Sequence, residues 1–155
     1  MGNYLTSDIA YSGRFEGKTH KLPVRIYYED TDMSGVVYHA NYIRYFERGR
    51  TDFLRCAGVI HTELAAREKP LAFAVIAMDV RYKKAARIDD SLLVHTEYGQ
   101  IKGARMHIKQ WITRGDDLIA TNDVTAVQID MLGNPVRPQK DFVETMEPFL
   151  SDNAH

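Results

Sequence analysis

An α+β architecture, one long amphipathic helix laid against a curved antiparallel sheet, is the fold class this sequence predicts. Three observations carry it. A single stretch, beginning at about residue 39 or 41 and running to 56, has helical period: Tyr42, Phe46, Gly49 and Phe53 fall at i, i+4, i+7 and i+11 on one face. Four later stretches alternate apolar and polar residues and are rich in β-branched and aromatic side chains, as half-buried strands are. The turns between them are short, which makes consecutive strands antiparallel neighbours. One helix covers one face of such a sheet, so a helix wrapped by a curved sheet follows. The uncovered face and the sheet edges favour assembly into a homodimer or homotetramer.

Taken in order, the first strand is read at residues 24–28, "VRIYY", followed by the polar loop "EDTDMSG". The long helix comes next and stops at Gly58. A glycine inside a helix costs about 1 kcal/mol relative to alanine. Gly49 on the apolar face therefore predicts close contact with the sheet beneath. A second helix is expected over 62–68, ending before Pro70. In "LAFAVIAMDVRYKK" the set Ala74, Ile76, Met78, Val80 and Tyr82 makes one apolar face. "SLLVHTEYGQI" places Leu92, Val94, Thr96 and Tyr98 together, and "ARMHIKQWIT" sets Met106, Ile108 and Ile112 against Arg105, His107, Lys109 and Trp111. "RGDD" makes a hairpin turn into "LIATNDVTAVQID"; "GNP" turns again, and a terminal helix is expected within 138–150.

A chain of 155 residues suits one domain with one core. Residues 1–20 are polar and unpatterned and read as a flexible lead-in, leaving 21–150 as the domain. With 20 Lys+Arg against 21 Asp+Glu, no global field draws the protein to nucleic acid or to a membrane. The start lacks the pattern of a secretory signal, and no apolar run approaches the roughly 18 residues of a membrane span. The single cysteine, Cys56, leaves no internal disulfide and no cysteine-based zinc site, which fits a reducing, cytoplasmic location. No histidine has metal-ligand spacing to a second ligand, so neither metal nor cofactor is expected. His20, His61 and His155 lack evident partners, and His95 and His107 read as surface or interface residues on strands.

Reactive residue types are densest in residues 28–47, "YEDTDMSGVVYHANYIRYFE". Glu29, Asp30 and Asp32 precede a glycine bend, a histidine and a helix start. A helix start presents unpaired N–H groups and partial positive charge. A carboxylate delivered beside it is what acyl transfer needs: a nucleophile or base on one side of a carbonyl and donors for its oxygen on the other. Three other readings share the pattern. "DTDMSG" fits the first half of a calcium loop, but position twelve is Asn41 where a bidentate Glu is needed. A strand followed by Asp-x-Asp suits a phosphotransferase, whose usual parallel crossovers are missing downstream. The third is an acidic turn that merely caps a helix.

The stretch "VRIYYEDTDMSGVVYHANYIRYFERGRTDFL" closely resembles the motif of the 4-hydroxybenzoyl-CoA thioesterase family, in the branch associated with the Tol-Pal envelope system. Its pattern Asp-x-x-Gly-x-x-x-x-x-Asn-Tyr, then an aromatic and Glu, is Asp32, Gly35, Asn41, Tyr42, Phe46 and Glu47. The resemblance implies a hot-dog fold and an acyl-CoA thioesterase, with acyl-carrier-protein thioesters as a second donor. It places the catalytic aspartate on Asp32, as nucleophile or general base, and the carbonyl-polarising N–H on or near His39. The ring of His39 is either a second functional group or a bystander. Gly35 shapes the bend, Tyr38 lines the acyl or pantetheine path, and Asn41 contacts substrate or anchors the loop. Lys102 and Arg105 hold the CoA phosphates or form a solvated turn, with Arg87 a further basic residue for that role. Glu47 pairs with Arg50 or Arg44, or replaces Asp32 as the base, as a helix Glu does in other hot-dog thioesterases. Met33 and Ser34 depart from the smaller residues common in relatives, which bears on acyl-pocket shape. Two other functions share the fold: a non-catalytic acyl-CoA binder, and a dehydratase or hydratase pairing a histidine with a carboxylate.

Overall fold

The computed structural model describes residues 8–152. Six strands, β1 (Arg14–Glu16), β2 (Thr19–Arg25), β3 (Ala72–Tyr82), β4 (Ser91–Tyr98), β5 (Arg105–Arg114) and β6 (Asp117–Ile129), form one sheet. Its order is β1-β2-β4-β5-β6-β3, with every pair antiparallel. The sheet wraps α1 (His39–Ala57), and the short helices α2 (His61–Ala65) and α3 (Lys140–Met146) close its far end. This is the α+β hot-dog arrangement expected. Among the described residues no helix is long and apolar enough to cross a membrane.

The helical stripe does what its period predicts: Tyr42, Phe46, Gly49 and Phe53 are all buried. Gly49 marks the closest approach to the sheet. A Cβ there would lie 2.8 Å from Thr96 Oγ1, 2.9 Å from Val94 Cγ1 and 3.1 Å from Gln110 Nε2. The first half of α1 packs with Leu22, Val24, Ile26, Leu92 and Ile112. The second half packs with Tyr98, Met106, Ile108 and Phe142.

Several expectations change. The first strand begins and ends earlier than residues 24–28, and Tyr28–Asp30 form a 3-10 turn instead. Residues 14–20, taken as lead-in, form β1 and the start of β2; residues 1–7 lie outside the described part. The reason is His20, which is fully buried with Nε2 2.8 Å from Asp52 Oδ2 on α1. Gly13 N–H donates to the same oxygen at 2.7 Å, and Phe15 packs edge-on against Phe53 at 4.9 Å. A histidine alternating with Leu22 and Val24 reads as polar in sequence, and its carboxylate partner is remote along the chain.

Of the four later strands, β4, β5 and β6 are consecutive antiparallel neighbours as expected, but β3 is not beside β4. β3 pairs with β6, not β4, because residues 83–90 cross over the start of α1 instead of turning back. Val37 N–H donates to Ala86 O at 2.9 Å, and Ala86 N–H donates to Tyr42 Oη at 3.0 Å, so the crossover is tied to the helix. The predicted apolar face of β3 is also split. A bulge between Val75 and Ala77 shifts the alternation by one residue, so Val75 opposes Ala126 and Met78 opposes Val124 on the helix side. Ala74 and Ile76 leave that face.

His95 is buried rather than a surface residue, stacked on Trp111 at 4.8 Å with Nε2 3.0 Å from Thr113 Oγ1. Burial, with Lys21 nearby, lowers its pKa to about 4. His107 stays half-buried, its Nδ1 3.3 Å from Thr125 Oγ1. His61 packs edge-on to Phe73 at 5.9 Å, and His155 lies outside the described residues. The two shorter helices begin and end within a few residues of the predicted spans, α2 at His61–Ala65 and α3 at Lys140–Met146.

Gly49→Ala is expected to lower stability by roughly 1–2 kcal/mol in urea unfolding, because overpacking outweighs the better helix propensity. His95 is neutral when folded and protonated when unfolded between pH 4 and 6.5, so the unfolded state binds the extra proton. Stability should be full above about pH 6.5 and fall by roughly 2–3 kcal/mol toward pH 4. His95→Gln should flatten that part of the unfolding-versus-pH curve.

Candidate active site

Asp32 sits on a tight loop whose two sides pair at Thr31 and Val37. Gly35 N–H donates to Asp32 O at 3.0 Å and Asp32 N–H donates to Val36 O at 3.0 Å. Gly35 holds φ +80°, a conformation glycine adopts without strain, so this bend demands it. The Asp32 side chain is exposed; its Oδ1 accepts the N–H of Ser34 at 2.8 Å and the Ser34 hydroxyl. The hydroxyl first, then the Ser34 N–H, hold the Asp32 carboxyl below the usual carboxylate range. Ser34 therefore keeps Asp32 ionised, a contribution not legible from its place in the bend.

The loop is bolted to α1. Asn41, at the third position of the helix, is buried, and its Nδ2 donates to Asp30 O at 2.8 Å. Tyr38 N–H donates to the same Asp30 oxygen at 2.9 Å. Of the two roles weighed for Asn41, the loop anchor is the one its geometry serves, since its amide nitrogen is engaged inside the fold. Tyr38 caps the helix start with no side-chain hydrogen bond to the first turn, and Asn41 N–H, the third of the helix, donates to Tyr38 O at 2.9 Å. His39 is exposed, its ring against Tyr38 at 4.5 Å and edge-on to Tyr82 at 6.3 Å. Its carbonyl accepts the Tyr82 hydroxyl at 3.1 Å. Tyr82 thus fixes the helix start from β3, a contact between residues 43 apart that no local pattern signals.

Beside Asp32 opens a surface pocket walled by Tyr28, Thr31, Met33, Gly35 and Ile88. Arg87 belongs to this end: Val36 bridges to it, and its Nη1 lies 3.9 Å from where a Gly35 Cβ would be. Lys102 and Arg105 do not. They exchange two 3.0 Å backbone hydrogen bonds in the β4–β5 turn, beside the second half of α1. The expected ion pair of Glu47 with Arg44 or Arg50 does not form: Glu47 is exposed, and Arg50 donates to Gln110 Oε1 at 3.0 Å.

One group of metal-ligand types gathers among the described residues, His20, Asp52 and Cys56, with ligand atoms within 4.8 Å of one another. Both Asp52 oxygens already accept N–H donors, Oδ2 from Gly13, with His20 Nε2 2.8 Å away, and Oδ1 from Arg55. The cluster reads as the knot that fastens β1 and β2 to α1. Cys56 is half-buried there, with Sγ 3.7 Å from Gly13 O.

Against known families, residues 27–146 match the model of the thioesterase-like superfamily. The chain belongs to that superfamily. It is 41% identical over 110 residues, covering 71% of this chain and 80% of the relative, to "Acyl-CoA thioesterase YbgC" of Haemophilus influenzae. It is 40% identical over 113 residues, 72% of this chain and 83% of the relative, to "Acyl-CoA thioester hydrolase YbgC" of an Escherichia coli strain. Among solved structures, a probable thioesterase from Bartonella henselae superposes with TM-score 0.76 at 38% identity, covering 78% of this chain and 99% of that one. Family and fold thus agree with what residues 24–54 implied.

Asn41→Ala is expected to cost about 1 kcal/mol by loss of the bond to Asp30. It should also raise amide hydrogen exchange selectively across residues 30–37, while the sheet stays protected.

Proposed function

We propose that this protein hydrolyses acyl-CoA thioesters to free acid and CoA, with Asp32 as the catalytic carboxylate. The observation that carries the reading is one juxtaposition: an exposed, ionised carboxylate held rigidly just ahead of a helix start whose first N–H groups have no side-chain cap. The names of its YbgC relatives supply the thioester. The first N–H groups of α1, at and near His39, polarise the carbonyl and hold the oxyanion. Asp32 either adds to the carbonyl carbon, forming a mixed anhydride that water opens, or takes a proton from the attacking water. In both routes the C–S bond breaks and the thiolate of CoA leaves with its electron pair, then takes up a proton. His39 serves through its backbone, its ring being held between two tyrosines. Cys56 as the one unpaired thiol suits the cytoplasm, where CoA thioesters are made.

The working unit in this reading is a pair of chains. β3 is an edge strand whose Val75, Ile76, Met78 and Tyr82 are exposed. Such an edge invites a second copy. β3 also runs opposite to α1. Its last residue, Tyr82, touches His39, while residues 72–75 lie beside Arg50, Thr51 and Leu54. Antiparallel pairing of two β3 edges about a two-fold axis therefore sets the Asp32 end of one chain against the Arg50 end of the other. It also brings the Lys102–Arg105 turn of the second copy toward Asp32, where it can hold the CoA phosphates beside Arg87. An acyl-carrier-protein thioester would present the same pantetheine arm.

Asp32→Asn should lower CoA release from a panel of acyl-CoAs by at least about 10²-fold, the scale of a lost base or nucleophile. Full activity in that variant would move the assignment to Glu47. Because Ser34 holds the Asp32 pKa down, activity should persist in acid to below the ordinary carboxylate value, and Ser34→Ala should shift that acid limb upward. A pH profile of kcat/KM for both proteins reads this directly.

A further inference from the structure

Midway along α1 a cation is buried beside a cavity. Arg50 is only 9% exposed, yet no carboxylate lies within ion-pair distance of it among the described residues. Its hydrogen bond to Gln110 Oε1, at 3.0 Å, is neutral. Gln110 has little more to offer, since its only acceptor, Oε1, also takes the Asn122 amide at 3.4 Å. A guanidinium carries five N–H donors and stays charged; Gln110 takes one, and no Arg50 nitrogen is both fully buried and without a partner, so the rest keep access to solvent and to a ligand.

Arg50 also lines a cavity of about 380 Å3 between α1 and the first residues of β3. The other walls are mostly apolar, including Leu54, Leu71, Phe73, Met106 and Ile108. Tyr98 is the second polar contributor from the core, and burial pushes its phenol pKa up, keeping it a donor. Glu47 lies on the same lining but is exposed to solvent and makes no ion pair. The cavity is thus shaped for an apolar chain that meets a donor set from within the core.

We infer that this cavity takes an acyl group carrying an oxygen acceptor, a carboxylate or a hydroxyl, at its distal end, which pairs with Arg50 and Tyr98. The inference rests on the thioesterase reading and names the substrate class within it. The methylenes lie against Leu54, Phe73 and Met106, and the distal oxygen accepts from the guanidinium and the phenol in place of solvent. Arg50 acts on substrate selection, distant from the thioester carbon.

The test compares free-CoA release from chain-matched alkyl, ω-hydroxyacyl and ω-carboxyacyl CoAs. An oxygenated substrate should exceed its alkyl match in kcat/KM by about 10-fold or more, the scale of a charge-assisted hydrogen bond. A carboxylate in the lead marks an anion site, and a hydroxyl in the lead marks a neutral acceptor site; either supports the inference. Arg50→Met should collapse the oxygenated-to-alkyl ratio toward one, Arg50→Lys should restore part of it, and Tyr98→Phe should reduce it. A role in packing alone would lower all substrates together and leave the ratio intact, which overturns the inference. Should Arg50→Met fail to fold, the wild-type ratio and Tyr98→Phe still decide. Equal rates on all three substrates in the wild type overturn the acyl-group assignment only, whereas no CoA release from any of them overturns the thioesterase reading.

Discussion

The contact between α1 and the inner face of the sheet at Gly49 governs the rest of the molecule. With no side chain there, helix backbone descends onto Val94, Thr96 and Gln110 closer than any Cβ permits. That proximity lets Gln110 donate to the Phe46 carbonyl inside the helix at 2.7 Å. It also divides the interior into two apolar clusters, one under each half of α1. A helix lodged this deeply fixes where its own start projects, and the acidic loop is set by that start.

The polar groups at the helix are therefore structural and functional at once. Asn41 and Tyr38 converge on one carbonyl, that of Asp30, and so fix the loop that carries Asp32. Tyr42 reaches the crossover through Ala86, and Tyr82 reaches back from β3 to the carbonyl of His39. Three separate chain segments thus hold the same helix start, and Asp32 can remain exposed yet well oriented. In the proposed reaction, orientation of this kind, more than a raised basicity, is what the Ser34-stabilised carboxylate would bring.

At the other end of α1 the polar groups do the opposite work. His20 and Asp52 form a knot closed to solvent that fastens β1 and β2. Arg50, two residues before Asp52 along the helix, faces a cavity, with Gln110 as its hydrogen-bond partner and no carboxylate in ion-pair contact. One buried polar group thus meets an acid within the fold, while its near neighbour turns its charge toward a cavity.

Much of this was legible along the chain. The 3.6-residue stripe of Tyr42, Phe46, Gly49 and Phe53, the alternation of the later strands, and the Asp-x-x-Gly bend before Asn41 are local patterns, and local patterns survive in one dimension. The glycine on the apolar stripe even foretold the close approach. The rest depended on partners far apart in sequence. His20 looked unpatterned because Asp52 lies on another element, β3 chose β6 because residues 83–90 are held by Val37 and Tyr42, and one bulge at Ile76 reversed a face that alternation had assigned. Arg50 looked like an ordinary surface partner for Glu47 until burial against Gln110 removed it from water. Period and turn chemistry are properties of neighbouring residues, so the elements and the acidic loop can be read along the chain. Burial and charge pairing are properties of the packed whole, so strand partners and the pairing of charged groups emerge only on folding.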